Sequence, residues 1–303
     1  MPAGSPNIVV VGSTNTDMVV KSSRLPRPGE TILGGHFFMN GGGKGANQAV
    51  AAVRLGGNVS LIGKTGDDIF GREALDSFKR EGIDTRHMAI DNKNPSGVAL
   101  ISVDDSGENT IVVAQGANAT LLPADLLAAK DLLQNADVVL AQLEIPLETV
   151  EWVANLRSDV NRTFILNPAP ACQLRDSLLK KISIITPNET EASILSGIPV
   201  HDRASAARAA RLLRKMGVQK VIITMGAEGA LLLEMEEPEF ITAPRVRAVD
   251  TTAAGDVFNG ALALAIAEGL SLTEAVHFGC AAASLSVSRM GAQASAPYRR
   301  EIE

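Results

Sequence analysis

The chain has 303 residues, 46% hydrophobic and 20% charged, with 27 glycines, 14 prolines, one Trp, one Tyr and eight Phe; this suits one large α/β domain and excludes a disordered, collagen-like or disulfide-stapled chain. Lys and Arg number 28 against 34 Asp and Glu, for a net charge of -6, and basic residues come no denser than short pairs such as Lys180-Lys181, which argues against nucleic acid as a partner.

The N-terminus, MPAGSPNIVVVGST, has no basic lead and too short an apolar run for a signal peptide. The later apolar stretches at 260–267 and 281–287 fall below the roughly 18 residues of a membrane span, so no membrane association is expected. Cys172 and Cys280 lie far apart and outside any CxxC, which fits a reducing compartment and a cytoplasmic protein. His36, His87, His201 and His277 are scattered without zinc-ligand spacing.

Taken in chain order, short apolar runs at 8–11, 59–62, 138–143, 163–166, 182–185 and 221–224 read as buried parallel strands. Helical spacing at 46–55, 71–80, 204–216 and 256–268 separates several of them, with glycine at or just past each end (Gly56, Gly82, Gly217, Gly269) as the expected stop. Alternation of this kind predicts a single α/β domain over 1–303: a doubly wound, mostly parallel sheet with helices on both faces. Segments 17–21, 30–38, 97–103 and 110–114 break the pattern and read as antiparallel ribbons with apolar residues on both faces. They predict a small β-sheet lid, inserted at about 16–39 and 96–114, that folds over a ligand or pairs with a second copy of the chain.

Ligands of open α/β sheets sit beyond the carboxyl ends of the strands, where four clusters stand out. Asn15 and Asp17, two apart on an extended segment, point the same way and suit vicinal hydroxyls; a capped turn explains them equally well. Gly41 to Asn47 opens a helix, and its glycines admit a ligand close to the backbone. It is not a P-loop, because Gly45 stands after the lysine where a Ser or Thr is needed. A dinucleotide fingerprint, and with it an oxidoreductase, is disfavoured because the Gly-x-Gly-x-x-Ala match does not follow the first core strand. Asn188 and Glu191, at i and i+3 of a helix start, serve either as a cap or as a site for hydrated magnesium beside phosphates. Finally, Ala253-Ala254-Gly255-Asp256 forms a small-residue turn at a helix N-terminus, able to cradle a phosphoryl oxyanion, with Asp256 either a general base or a cap.

In this order, Gly12-Ser13-Thr14-Asn15-Thr16-Asp17, the run from Gly42 to Ala49, Gln142-Leu143-Glu144, Asn167-Pro168-Ala169-Pro170, the run from Thr186 to Glu191 and the run from Asp250 to Gly260 together resemble the ribokinase-like (pfkB) carbohydrate kinases over essentially the whole chain. The resemblance implies ATP-dependent phosphorylation of the 5-hydroxyl of D-ribose, with a lid sheet that commonly makes a homodimer. It assigns sugar binding to Asn15, Asp17, Gly43, Lys44, Asn47 and Glu144, the base to Asp256, and the anion hole to Ala253, Ala254 and Gly255. Asn188 and Glu191 match the motif that organises magnesium and phosphate, and Thr224, Gly226 and Gly229 the nucleotide-binding strand and turn. Asp250, Thr252, Ser286, Arg289, Gly291 and Ser295 match a site for potassium or a similar monovalent cation, partly through backbone carbonyls. One turn departs: it reads Ala-Ala-Gly-Asp where many relatives have Gly-Ala-Gly-Asp. A kinase for a related pentose or nucleoside, such as 2-deoxyribose, and a non-catalytic sugar-binding regulator are the alternatives.

Overall fold

A computed structural model describes residues 6–160 and 162–302. In chain order it begins with β1 (Asn7–Val11), β2 (Asn15–Lys21), β3 (His36–Gly42), α1 (Lys44–Arg54), β4 (Asn58–Ile62), β5 (Lys64–Gly66), α2 (Ile69–Glu81), β6 (Ala89–Asp91), β7 (Gly97–Val103) and β8 (Asn109–Ala114). The middle contains α3 (Lys130–Asn135), β9 (Val138–Ala141), α4 (Leu147–Asp159), β10 (Thr163–Leu166), α5 (Asp176–Leu179), β11 (Ile184–Ile185), α6 (Glu189–Ser196) and α7 (Arg203–Lys215). The last part contributes β12 (Lys220–Thr224), β13 (Ala230–Leu233), β14 (Glu239–Ile241), α8 (Ala254–Ala267) and α9 (Leu272–Ser286).

The central sheet has the order β14-β13-β12-β11-β10-β9-β1-β4, parallel from β12 to β4 and antiparallel at the β13 and β14 edge. Its strands are buried on both sides, which is why they read as unbroken apolar runs: Val9 and Val11 face one layer of the core, Ile8 and Val10 the other. Among the described residues no helix is long and apolar enough to cross a membrane. Arg157 is fully buried and donates to the carbonyls of Leu133, Ala136 and Thr163 at 2.5, 3.0 and 3.0 Å, so its charge is spent on closing the end of α3.

The segments expected to form a lid make a small separate sheet of order β3-β2-β7-β8. Its second strand in chain order differs from expectation, since β3 covers His36–Gly42 and not 30–38. Register explains the shift: Asp17 pairs with Asn40 and Asn15 with Gly42, so the strand runs through two glycines to the helix start. Side chains occupy the space where a Cβ would stand, that of Asp17 at Gly42 and that of Gln293 at Gly41. Apolar side chains are exposed on both faces: Val20, Phe37, Leu100 and Val112 on one, Phe38, Ile111 and Val113 on the other.

Both α1 and α8 start two residues before their apolar periodicity does, because their first turns are built from small or polar residues. The two helices pack closely at Gly260, where a Cβ would lie 2.6 Å from the Gln48 carbonyl oxygen and 2.8 Å from Ala51 Cβ. Gly260→Ala is therefore expected to destabilise the fold by about 1–3 kcal/mol, overpacking outweighing the gain in helix propensity. A lowered midpoint in urea unfolding checks this; an unchanged or raised midpoint contradicts it.

Candidate active site

The assigned residues converge at the carboxyl ends of the parallel strands, between the sheet and the root of the lid. Gly45 sits so close to the Gly12-Ser13 backbone that a Cβ would lie 2.6 Å from the Gly12 carbonyl carbon, and Ala46 N–H donates to Ser13 O at 2.9 Å. Gly43, with φ 88°, turns the chain from β3 into α1 in a conformation that favours glycine. The N-terminus of α1 is thereby fixed over the end of β1.

Asp256, in the first turn of α8, is 6% exposed. Asn47 Nδ2 donates to its Oδ2 and Gln48 Nε2 to its Oδ1, both at 2.9 Å. Burial pushes the Asp256 pKa up, opposed by the Lys44 charge and by these two amides. Asn47 Oδ1 is buried without a partner among the described residues, an acceptor suited to a ligand hydroxyl. Glu144 accepts from Ser13 Oγ at 2.5 Å and from Lys44 N–H, at the start of α1, at 3.1 Å. Asp17 is pushed up to about 7, by burial first and then by Glu144 and Asp256, with Lys44 opposing. Lys44 is itself raised, mainly by Asp256. One cation thus serves several carboxylates in a cleft of low dielectric.

Asn118 is a site residue that the sequence reading missed. Its Nδ2 donates to Asn15 Oδ1 at 2.8 Å and to Thr14 O at 3.0 Å, while its Oδ1 accepts from Thr14 N–H at 3.0 Å. Asn15 is thereby oriented with its amide nitrogen left to donate. No local signal marks Asn118, because the sequence around it reads as an ordinary polar turn.

Asn188 and Glu191 form a reciprocal capping box: Asn188 Oδ1 accepts from Glu191 N–H at 2.8 Å and Glu191 Oε2 from Asn188 N–H at 2.9 Å. The capping alternative is therefore realised, and it is compatible with a charge role. Burial raises the pKa of Glu191, its bond from Asn188 and the Lys44 charge oppose this, and Asp256 adds to it, so the carboxyl senses the same cleft. A bridge pairs Asn188 with Thr224 at the end of β12, and the turn through Gly226 and Gly229, at φ 52° and 103°, follows directly.

The monovalent-cation set also comes together in part. Asp250 Oδ1 accepts from Thr252 N–H and Oδ2 from Gly291 N–H, both at 2.9 Å, and the N–H groups of Val249 and Asp250 donate to Val287 O at 2.7 and 3.2 Å. Burial pushes the Asp250 pKa up, but the bonds it accepts outweigh this and hold it below the usual range. Ser286 and Ser295 are buried and donate to Ala283 O and Ala292 O at 2.8 Å each. The Arg289 side chain pairs with Glu301 at 2.6 Å, so a part in cation binding would fall to its backbone. Among the described residues no group of three or more His, Cys, Asp or Glu side chains could hold a metal ion.

Comparison with known proteins matches this geometry to one family. The profile described as "pfkB family carbohydrate kinase" matches residues 5–299. The chain belongs to the pfkB carbohydrate kinases. Among relatives, the ribokinase of Haemophilus influenzae is 44% identical over 294 residues, covering 97% of this chain and 96% of that protein. The deoxyribokinase of Salmonella typhi is 37% identical, covering 96% and 95%. Among solved structures, Arabidopsis thaliana ribokinase complexed with ribose and ATP superposes with a TM-score of 0.92 at 34% identity, covering 98% and 97%.

The turn before Asp256 is strained: Ala253 has φ 58°, the one non-glycine residue with positive φ among the described residues. Ala253→Gly is expected to stabilise the folded state by about 1 kcal/mol, relief of left-handed strain exceeding the added unfolded-state entropy. A higher urea midpoint checks this; a lower one means that neighbouring contacts stabilise the alanine more than the strain costs.

Proposed function

We propose that this protein phosphorylates D-ribose on its 5-hydroxyl at the expense of ATP, giving ribose 5-phosphate and ADP. The observation that carries the proposal is the buried Asp256 carboxylate at the N-terminus of α8, beside Lys44 and the unpartnered Asn47 oxygen. The full-length matches to ribokinases support the choice of sugar.

In this reading Asn15, Asp17, Gly43, Lys44, Asn47 and Glu144 hold the sugar. Asp256 takes the proton of the 5-hydroxyl as its oxygen bonds to the terminal phosphorus and the bond to the ADP oxygen breaks. The N–H of Gly255, and that of Ala254 once it exchanges its 3.3 Å bond to Thr251 O, face the charge that develops on the transferred phosphoryl group at the start of α8, and Ala253 shapes that turn. Thr224, Gly226 and Gly229 line the nucleotide side. Magnesium bound with the nucleotide would neutralise phosphate charge, held indirectly through Asn188 and Glu191, both already committed to the cap. A potassium ion fits the ionised Asp250 and the carbonyls of its loop better than a divalent ion, since one carboxylate supplies the charge.

The apolar faces of the lid are read as a contact with a second copy of the chain, and the thiols, unpaired in the structure, as those of a cytoplasmic protein. Sedimentation should give a dimer that Val112→Asp dissociates; a monomeric parent chain contradicts that contact.

ADP release with magnesium and potassium should depend on ribose, exceed that on 2-deoxyribose, drop on replacing potassium by sodium, and fall at least about 10²-fold in Asp256→Asn. Preference for 2-deoxyribose would transfer the assignment to that sugar. Ribose binding without turnover would favour the regulator.

Asp17 gives a pH signature. As an acceptor for sugar hydroxyls it must be ionised, so with a pKa of about 7 ribose affinity should weaken as pH falls through neutrality. Asp17→Asn should bind more weakly and flatten the profile, as a binding titration from pH 5.5 to 8.5 would show; an unchanged profile removes Asp17 from this role.

A further inference from the structure

Resting on the reading of Asp256 as the base, we propose that Gln48 is a positioning residue that fixes the plane of the Asp256 carboxylate and keeps it in its proton-accepting form. Gln48 is fully buried, and its polar atoms are spent inside the protein. One Nε2 hydrogen goes to Asp256 Oδ1 at 2.9 Å and the other to Asn167 Oδ1 at 3.1 Å, while its Oε1 accepts from Gln142 Nε2 at 2.6 Å. It has nothing left to offer a substrate, unlike Asn47, which retains an open acceptor.

The direction of this chain of amides is dictated from the carboxylate end. An ionised carboxylate only accepts, so Gln48 turns its nitrogen toward Asp256 and its oxygen toward Gln142. Gln142 then has to donate, which leaves Gln142 Oε1 buried without a partner among the described residues. An unsatisfied buried acceptor is unfavourable, and the arrangement persists with the Asp256 oxygen supplied. The same network reaches the turn before the base: Asn167 Nδ2 donates to Thr186 O, Thr186 Oγ1 to Asn259 Oδ1, and Asn259 Nδ2 to Gly255 O at 2.8 Å. One buried system therefore orients both the base and the backbone beside it.

The charged groups bearing on Asp256 are Lys44 on α1, Glu144 beyond β9, Asp17 on β2 and Glu191 on α6. Only Lys44 favours the ionised form, so two amide donors are needed to hold it. Gln48→Met keeps the volume and removes the donor.

With ribose and ATP, Gln48→Met should lower kcat by about 10-fold or more with the ribose KM within about threefold, and should move the acidic limb of the kcat profile upward by about one pH unit. Gln48→Glu, which places a second carboxyl against Asp256, should move that limb further and serves if the Met variant does not fold. A fall in kcat with the limb unmoved, or no fall in kcat, overturns the proposal for Gln48 alone, provided Asp256→Asn is inactive. Turnover retained in Asp256→Asn overturns the reading of the base and the Gln48 proposal together.

Discussion

A carboxylate buried at the start of α8, tied to two adjacent amides on α1, is the constraint around which the rest of the site is arranged. Asp256 can meet both Asn47 and Gln48 only if α1 and α8 approach closely one turn further on, and Gly260 permits that approach. The N-terminus of α1 must in turn rest on the end of β1, which Gly12 and Gly45 allow by backbone contact. Small residues therefore act here through what they leave out, and the position of Asp256 follows from helix packing more than from its own neighbours in the chain.

Charge gives the site its second organising feature. Asp17, Glu144 and Asp256 surround Lys44, and the helix starts that point into the cleft contribute partial positive charge. With so many acceptors and so few donors, burial and the neighbouring carboxylates push Asp17 up to about 7, and Asp256 is stabilised by hydrogen bonding. A sugar brings hydroxyl donors and a nucleotide brings phosphates with their cations. Each supplies groups that complement these carboxylates, consistent with chemistry that depends on positioning and charge compensation.

The small sheet carries Asn15 and Asp17 on one strand that follows directly from β1, so the placement of these two side chains is tied to that of the central sheet. Asn118 anchors that root from the far side of β7 by holding both Thr14 and Asn15. Exposed apolar residues on both lid faces are the cost of a sheet that has no second layer within its own chain.

Much of this was legible in the sequence. Alternating apolar runs and glycine stops determined the doubly wound sheet, because burial on both faces requires unbroken β-branched segments, and the motif order located the clusters at the strand ends. The family resemblance, not spacing, supplied their roles. Local patterns could not place β3, whose pairing through Gly41 and Gly42 is set by register with β2. Nor could they show that Asn118 orients Asn15, that Gln48 and not only Asn47 reaches Asp256, or that Arg157 is buried. The Asn118–Asn15 and Gln48–Asp256 bonds join residues 103 and 208 positions apart and those of Arg157 no more than 24, and in each case the chemistry comes from burial and direction in space. Sequence thus determined which groups were available and where each strand would deliver them; only the tertiary structure decided which partners they met, because hydrogen-bond direction and desolvation exist only after the helices and sheet have packed.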